Sequence, residues 1–202
     1  MAGLIDDTVA AIRAGKPVVL PTDTVYGLCA DAFHDEPTWR AYRLKGRAPT
    51  QPSALVCTDV DMLLECVPEL RGRAGVIARE LLPGPFTLVV PNPARRYRWL
   101  TGSSPDTIGV RVPGLTGPGA DVLAQVGAVM ATSANDPGAP DPARLEDVPR
   151  RILEGCAAAI DAGPLPGVPS TILDLTGREP RVLREGAVPA ADALARVARR
   201  PQ

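Results

Sequence analysis

Aromatic residues are scarce: phenylalanine, tryptophan and tyrosine supply 3% of the 202 residues. A core for this chain must therefore be filled by Ala, Val, Leu and Ile. Stacking on unpaired bases needs several exposed rings, and only Trp39, Tyr42, Tyr97 and Trp99 are available for it. An excess of either charge is also missing. A formal net charge of −1 excludes a protein that coats nucleic acid by bulk attraction. There is one histidine, His34, and the four cysteines, Cys29, Cys57, Cys66 and Cys156, form no C-x-x-C pair. That count excludes a Cys/His zinc site and speaks against a disulfide framework. Buried reduced thiols, and hence a reducing compartment, are expected. No apolar run approaches membrane-spanning length, so no membrane contact is expected. The first residues include Asp6 and Asp7 and lack the basic flank and apolar stretch of a secretory signal, so the expected location is cytoplasmic.

Motifs for several common chemistries are missing as well. The chain has no G-x-x-x-x-G-K-[ST], no G-x-G-x-x-G and no G-x-S-x-G. Nothing pairs with His34 to build a nucleophilic triad, and no two carboxylates stand out for acid–base work. Neither a protein nucleophile nor a protein-held metal is expected.

What is present reads as alternating strands and helices. Leu4, Ile5, Val9 and Ile12 recur at helical spacing, with Gly15 as a stop. Strands are expected at Val18 to Leu20, Tyr26 to Ala30, Ala54 to Cys57, Phe86 to Val90, Thr107 to Val112, Ala128 to Ala131, Ala157 to Ile160, Ser170 to Leu173 and Arg181 to Leu183. Helices are expected at Glu36 to Leu44 with Asp35 as N-cap, Met62 to Leu64, Arg71 to Leu82, Ala120 to Val126, Arg144 to Leu153 interrupted by Pro149, and Ala190 to Val197. A Pro-, Gly- and Ser-rich loop runs from Pro91 to Asp106, of a length that often serves as a lid. Strands and helices without a strict βαβ rhythm imply one α/β domain with a mixed twisted sheet flanked by helices. The expected organisation is a single domain over residues 1–202, with a core at about 17–186 and a C-terminal helix at about 190–199.

Small polar groups gather where apolar strands end, and that is where ligands of α/β proteins sit. Pro21-Thr22-Asp23-Thr24-Val25-Tyr26-Gly27-Leu28 follows the first strand; a polar turn explains it equally well in isolation. Lys45 and Arg47 follow a helix and, two apart in extended chain, would share a face able to hold a polyphosphate; a solvated helix end is the alternative. Arg111 stands in the apolar run Ile108-Gly109-Val110-Arg111-Val112. Burying it unpaired costs several kcal/mol, so it needs a ligand anion, a structural salt bridge or an outward edge position. Ala131-Thr132-Ser133-Ala134-Asn135 and Pro169-Ser170-Thr171 repeat the pattern, and Arg184 ends a strand before Glu185-Gly186. Three basic segments, Arg40 to Arg47, Arg95 to Arg98 and Arg178 to Arg184, point to a local anionic ligand. Hydroxyls and cations without a nucleophile suit chemistry in which the substrate's own anion attacks a phosphate.

Six segments, PTDTVYGL, LKGRAPTQP, PGPFTLVV, RWLTG followed by TIGVRVPG, ATSAN, and PSTILDLTG followed by VLREG, resemble in order and spacing the YrdC-like family of threonylcarbamoyl-AMP synthases. The resemblance implies an α/β fold with a concave basic cleft, in the short form without a further C-terminal domain. It implies a nucleotidyltransferase that converts L-threonine, bicarbonate or carbon dioxide, and ATP into threonylcarbamoyl-AMP and pyrophosphate. Downstream tRNA threonylcarbamoyltransferase proteins then modify the adenosine beside the anticodon of certain tRNAs. By position, Thr24, Arg111 and Ser170 would hold threonine. Arg47, Thr107, Ser133 and Arg184 would contact ATP, with Lys45 and Asn135 close by and Gln51 where long-form relatives often have Asn. Magnesium would arrive on the triphosphate rather than in a protein cage. At Val56 many long-form members carry His. Two further readings stay open: an RNA-binding module of the same fold, contacting tRNA or double-stranded RNA, and a paralogue that adenylates a different carbamoyl substrate.

Overall fold

The computed structural model describes residues 2–70 and 72–198. Helix α1 (Ala2–Arg13) leads into strand β1 (Val18–Leu20) and β2 (Gly27–Asp31), followed by α2 (Asp35–Lys45) and β3 (Ala54–Cys57). Helices α3 (Val60–Cys66) and α4 (Gly72–Leu81) precede β4 (Phe86–Pro91) and β5 (Thr107–Arg111). The chain continues through α5 (Pro118–Val126), β6 (Ala128–Ser133), α6 (Arg150–Gly155), the short β7 (Ala158–Ala159), β8 (Thr171–Asp174), β9 (Arg181–Arg184) and α7 (Ala190–Ala198). Residues 71 and 199, at the ends of two expected helices, lie outside the described residues.

All nine strands join one mixed sheet in the order β7-β1-β2-β6-β3-β5-β4-β8-β9. The pairs β7/β1, β3/β5 and β4/β8 are parallel; the other neighbours run antiparallel. This is the expected mixed α/β sheet. Arg111 pairs with Val56 in the register of β5 on β3, well inside the sheet, which removes the edge-strand explanation for it. The outer edge, β9, is short and carries Arg181 and Arg184, charges that discourage pairing with another chain.

Side chains alternate across a strand with a period of two, and here the alternation divides two environments. Val19, Leu28, Ala30, Leu55, Cys57, Phe86, Leu88, Val90, Ile108, Val110, Met130 and Leu173 point into the larger core. On that face lie α2, α3, α4 and α7, packed over β2, β3, β4 and β9 respectively. The opposite parity, Val18, Leu20, Cys29, Val56 and Val129, joins a smaller core closed by Val9 and Ile12 of α1 and Val122 and Leu123 of α5. Helix α1 packs on α5, β1, β2 and β7, so it covers only one half of that face. Beyond Val56, over β5, β4, β8 and β9, no helix among the described residues packs extensively on that face.

Several boundaries differ from those expected from sequence, for physical reasons. Strand β6 runs on through Thr132 and Ser133 because both continue the ladder with Leu28 and Gly27 of β2. The run at 157–160 pairs over only two residues, since it is an edge strand with β1 alone as neighbour. His34, not Asp35, occupies the N-cap position of α2, and Asp35 instead sits in the first turn, where a carboxylate favours the helix dipole. Pro149 splits the expected 144–153 helix into a 3-10 turn at Leu145–Asp147 and α6. The Pro91 to Asp106 stretch is pinned rather than free: it contains a 3-10 turn at Arg98–Leu100, Asn92 Nδ2 donates to Arg96 and Pro105 carbonyls (2.9 and 3.1 Å), and Trp99 Nε1 donates to Ala32 O at 2.9 Å.

Tyr26 ties this framework to the turn before β2. Fully buried, its hydroxyl lies 2.8 Å from the Gly163 carbonyl and 3.0 Å from Asp161 Oδ1, and accepts the Ala162 N–H at 3.0 Å. Tyr26→Phe keeps the ring and leaves that N–H without a partner. Unfolding by denaturant is expected to show a loss of about 1–3 kcal/mol; an unchanged midpoint contradicts this role for the hydroxyl.

Candidate functional site

The uncovered half of the sheet face is the floor of a cavity of about 440 Å³, a size that suits a small organic ligand. Thr87 and Val89 of β4, Thr107, Gly109 and Arg111 of β5, and Ile172 of β8 line it, all opposite in parity to the core-facing residues of the same strands. Arg47, Ser133, Ser170 and Arg184 complete its polar wall. Asp141 is the one carboxylate in the lining, and no cysteine, histidine or lysine is found there. Serine and threonine hydroxyls line it, and the lining holds no histidine or lysine to activate one of them as a nucleophile.

Six of the ten residues expected at the site line this cavity: Arg47, Thr107, Arg111, Ser133, Ser170 and Arg184. Thr24 is fully buried behind the wall, its Oγ1 accepting from Arg111 Nη2 at 2.8 Å. Lys45 and Asn135 are buried as well, and Gln51 is exposed on a turn and does not line the cavity.

Lys45 overturns the picture of two cations in extended chain. It is the last residue of α2, and Gly46 follows at φ 70° in the left-handed region, so the Gly46 and Arg47 N–H groups fold back onto Arg43 and Tyr42 carbonyls. Lys45 is directed inward, 3% exposed, from the side of the larger core toward the end of β6. Its Nζ donates to Ser133 O at 2.6 Å and Asn135 Oδ1 at 2.9 Å, with Thr132 Oγ1 at 3.3 Å. Burial, helped by Arg47, lowers its pKa to about 8, against the opposing pull of Asp141 and Asp136. Ser133 Oγ also donates to Asn135 Oδ1 at 2.7 Å, and Asn135 Nδ2 to Ala139 O at 2.6 Å, so the ATSAN turn is a closed network. Arg47 itself stacks over the Tyr42 ring at 5.8 Å and donates to the Pro52 carbonyl.

On the far wall Arg184 Nη2 donates to Ser170 O at 2.8 Å, and Ser170 Oγ pairs with Thr87 Oγ1 at 2.8 Å. Burial lowers the Arg184 pKa, with Asp141 opposing and Arg111 reinforcing the shift; a guanidinium stays charged throughout. Gly186 makes this wall fit, because a Cβ there would lie 2.6 Å from the Ser170 carbonyl carbon. Arg111 has the salt-bridge partner that sequence left open: Nη2 donates to Asp23 Oδ1.

Most of the other cations in the three basic segments are spent on neighbours. Arg43 pairs with Glu36, Arg95 with Asp106, Arg96 with Glu69 and Arg181 with Asp174. The positive charge that converges is that of Arg47, Arg111 and Arg184, with Lys45 behind. Sequence reasoning missed Thr87, Asp23 and Asp141. Thr87 carried a signal, a hydroxyl at odd parity in an apolar strand, and Asp23 lay inside a quoted motif. Asp141 gave none. Among the described residues no group of three His, Cys, Asp or Glu side chains could hold a metal ion, no helix is long and apolar enough to cross a membrane, and all four cysteines are free.

The Sua5/YciO/YrdC family model, described as "Telomere recombination", matches residues 10–186. The threonylcarbamoyl-AMP synthase of Halorhodospira halophila (strain DSM 244 / SL1) is 34% identical over 177 residues, covering 87% of this chain and 91% of that protein. Among solved structures, Pyrococcus abyssi Sua5 complexed with L-threonine is similar with a TM-score of 0.88 and 32% identity, over 96% of this chain and 57% of that one. The chain thus spans little more than half of the archaeal protein. Escherichia coli YciO is similar with a TM-score of 0.84 and 26% identity, over 96% of this chain and 94% of that one. With a family model matched over residues 10–186 and a relative 34% identical over most of both chains, this chain belongs to the Sua5/YciO/YrdC family.

Proposed function

We propose that this protein is an L-threonylcarbamoyladenylate synthase, a nucleotidyltransferase that forms threonylcarbamoyl-AMP and pyrophosphate from L-threonine, bicarbonate or carbon dioxide, and ATP. One observation carries the reading: three guanidiniums and several hydroxyls converge on one cavity whose lining has no cysteine, histidine or lysine, in a chain similar to a protein solved with L-threonine. Arg111 and Ser170, with Thr24 behind, hold the amino acid, the guanidinium meeting its carboxylate. Arg47, Thr107, Ser133 and Arg184 take the nucleotide, Lys45 and Asn135 shaping the turn beneath it. Gln51 would serve only from outside the cavity.

In the reaction the threonine amine adds to the carbon of carbon dioxide and loses a proton, giving a carbamate. A carbamate oxygen then attacks the α-phosphorus, and the bond from phosphorus to the bridging oxygen of the leaving pyrophosphate breaks. Negative charge passes to pyrophosphate, where fixed cations stabilise it without reorganising. Asp141 is the one carboxylate in the lining, and magnesium carried on the triphosphate would offset part of its charge there. Use of the product on tRNA by downstream transferases, direct tRNA contact, and a cytoplasmic setting for the free thiols belong to the same proposal.

Purified protein given threonine, bicarbonate and ATP is expected to release pyrophosphate several-fold faster than without threonine; equal rates contradict the reading. Arg184→Ala is expected to lower kcat/KM by about 2–4 kcal/mol in transition-state stabilisation, with little change in melting temperature since Arg184 makes no ion pair among the described residues.

Lys45 supplies a pH test with opposite signs. Its charge is lost as pH rises through about 8, so binding of a nonhydrolysable ATP analogue is expected to weaken across that pH and to become flat in Lys45→Met. Stability moves the other way. The folded pKa lies below the ordinary 10.5, so between about 8 and 10.5 the unfolded chain holds the extra proton, and this residue's contribution to folding rises with pH. Titration calorimetry and thermal unfolding over pH 7–10 measure the two; nucleotide affinity that is flat or rising with pH contradicts a role for the ammonium.

A further inference from the structure

Asp23 does not line the cavity, yet one of its oxygens binds a residue that does, Arg111, and the other binds the chain just beyond it. Oδ1 accepts from Arg111 Nη2, and Oδ2 accepts the Gly114 N–H at 2.9 Å, tying the turn before β2 to the chain leaving β5. The turn is closed on itself: Thr22 Oγ1 meets Thr24 Oγ1 at 3.0 Å, donates to Val25 O at 2.7 Å and accepts the Val25 N–H at 3.1 Å. Thr24 Oγ1 in turn accepts from the same Arg111 nitrogen at 2.8 Å. The two charged side chains are 10% and 11% exposed, so the pair is largely desolvated.

Two effects of such a carboxylate oppose each other. It holds the guanidinium in one orientation, and it also cancels part of the charge that would attract an anion. Arg111 has five N–H donors, and its hydrogen bonds to Asp23 and Thr24 both come from Nη2, so donors remain for a ligand. Arg47 and Arg184 have no carboxylate partner within salt-bridge distance among the described residues; their bonds go to carbonyl and hydroxyl oxygens. The cavity is therefore electrically uneven. Near Arg47, Arg184 and Lys45 no carboxylate is in ion-pair contact among the described residues, Asp141 and Asp136 offset the positive charge only from a distance, and the excess favours a polyanion. Near Arg111 it is balanced one for one, and recognition falls to geometry, which suits a single carboxylate.

We propose that Asp23 is a positioning residue that fixes Arg111 for the amino-acid carboxylate and keeps the triphosphate off that seat. The inference rests on the synthase reading and deepens it by assigning the separation of the two substrates to one ion pair.

Calorimetric titration of threonine in the presence and absence of inorganic tripolyphosphate tests it. In the native protein tripolyphosphate is expected to leave threonine affinity within about twofold. In Asp23→Asn threonine affinity is expected to fall tenfold or more and tripolyphosphate to compete with what remains, whereas Asp23→Glu recovers at least part of both properties. Kinetically, Asp23→Asn is expected to raise KM for threonine far more than KM for ATP. Displacement of threonine by tripolyphosphate from the native protein overturns the inference whatever the variants do, and so does an Asp23→Asn protein with native melting temperature and native or tighter threonine binding. Native protein that binds no threonine removes the synthase reading and this inference together, while native binding with an unaffected variant removes this inference alone.

Discussion

The pleat of the sheet is the constraint on which the site depends. Because side chains alternate, β4 and β5 put Phe86, Leu88, Val90, Ile108 and Val110 into the main core while Thr87, Val89, Thr107, Gly109 and Arg111 face the other way. The first set is buried in the larger core beneath α2, α3, α4 and α7, whereas among the described residues no helix packs extensively on the second. The cavity is the remainder. A one-residue slip in β5 would exchange Arg111 with Val110 and bury a guanidinium in the apolar core, so register and site are specified together.

The cost of this arrangement is concentrated in two cations. Arg111 and Lys45 are 8% and 3% exposed, and a buried cation is tolerated only with partners. Arg111 has a carboxylate. Lys45 has carbonyl, amide and hydroxyl oxygens at the end of β6 that hold its ammonium, while burial makes it easier to deprotonate than a lysine in water. The two solutions have different consequences: one leaves the wall nearly neutral, the other leaves it positive. That difference divides the cavity between a monoanion and a polyanion.

Much of the fold was legible where a local rule acted alone. The spans Val18–Leu20 and Ala54–Cys57 came directly from short apolar runs between polar segments, and α1 from the helical spacing of Leu4, Ile5, Val9 and Ile12. Legibility ended where a distant neighbour decides. Strand β6 continues into hydroxyl residues because β2 lies alongside, which no reading of Thr132 and Ser133 in isolation reveals. At the site, residue types at strand and helix ends and within β5 pointed to Arg47, Arg111, Ser133, Ser170 and Arg184, all of which line the cavity, and the family resemblance added Thr107. The inward turn of Lys45, set by the left-handed Gly46, and the 88-residue separation of Asp23 from Arg111 were tertiary facts. Basic segments were misleading for a related reason: acids far along the chain, such as Glu69 opposite Arg96, neutralise them only once the chain is folded.

The most direct measurement is a crystal structure of the protein grown with L-threonine and a nonhydrolysable ATP analogue. The amino-acid carboxylate is expected within hydrogen-bonding distance of Arg111, beside Ser170, and the triphosphate between Arg47 and Arg184 above the Ser133 turn. Both ligands found elsewhere, for example in the groove lined by Leu64, Leu70 and Val76 between α3 and α4, would contradict a common cavity for amino acid and nucleotide.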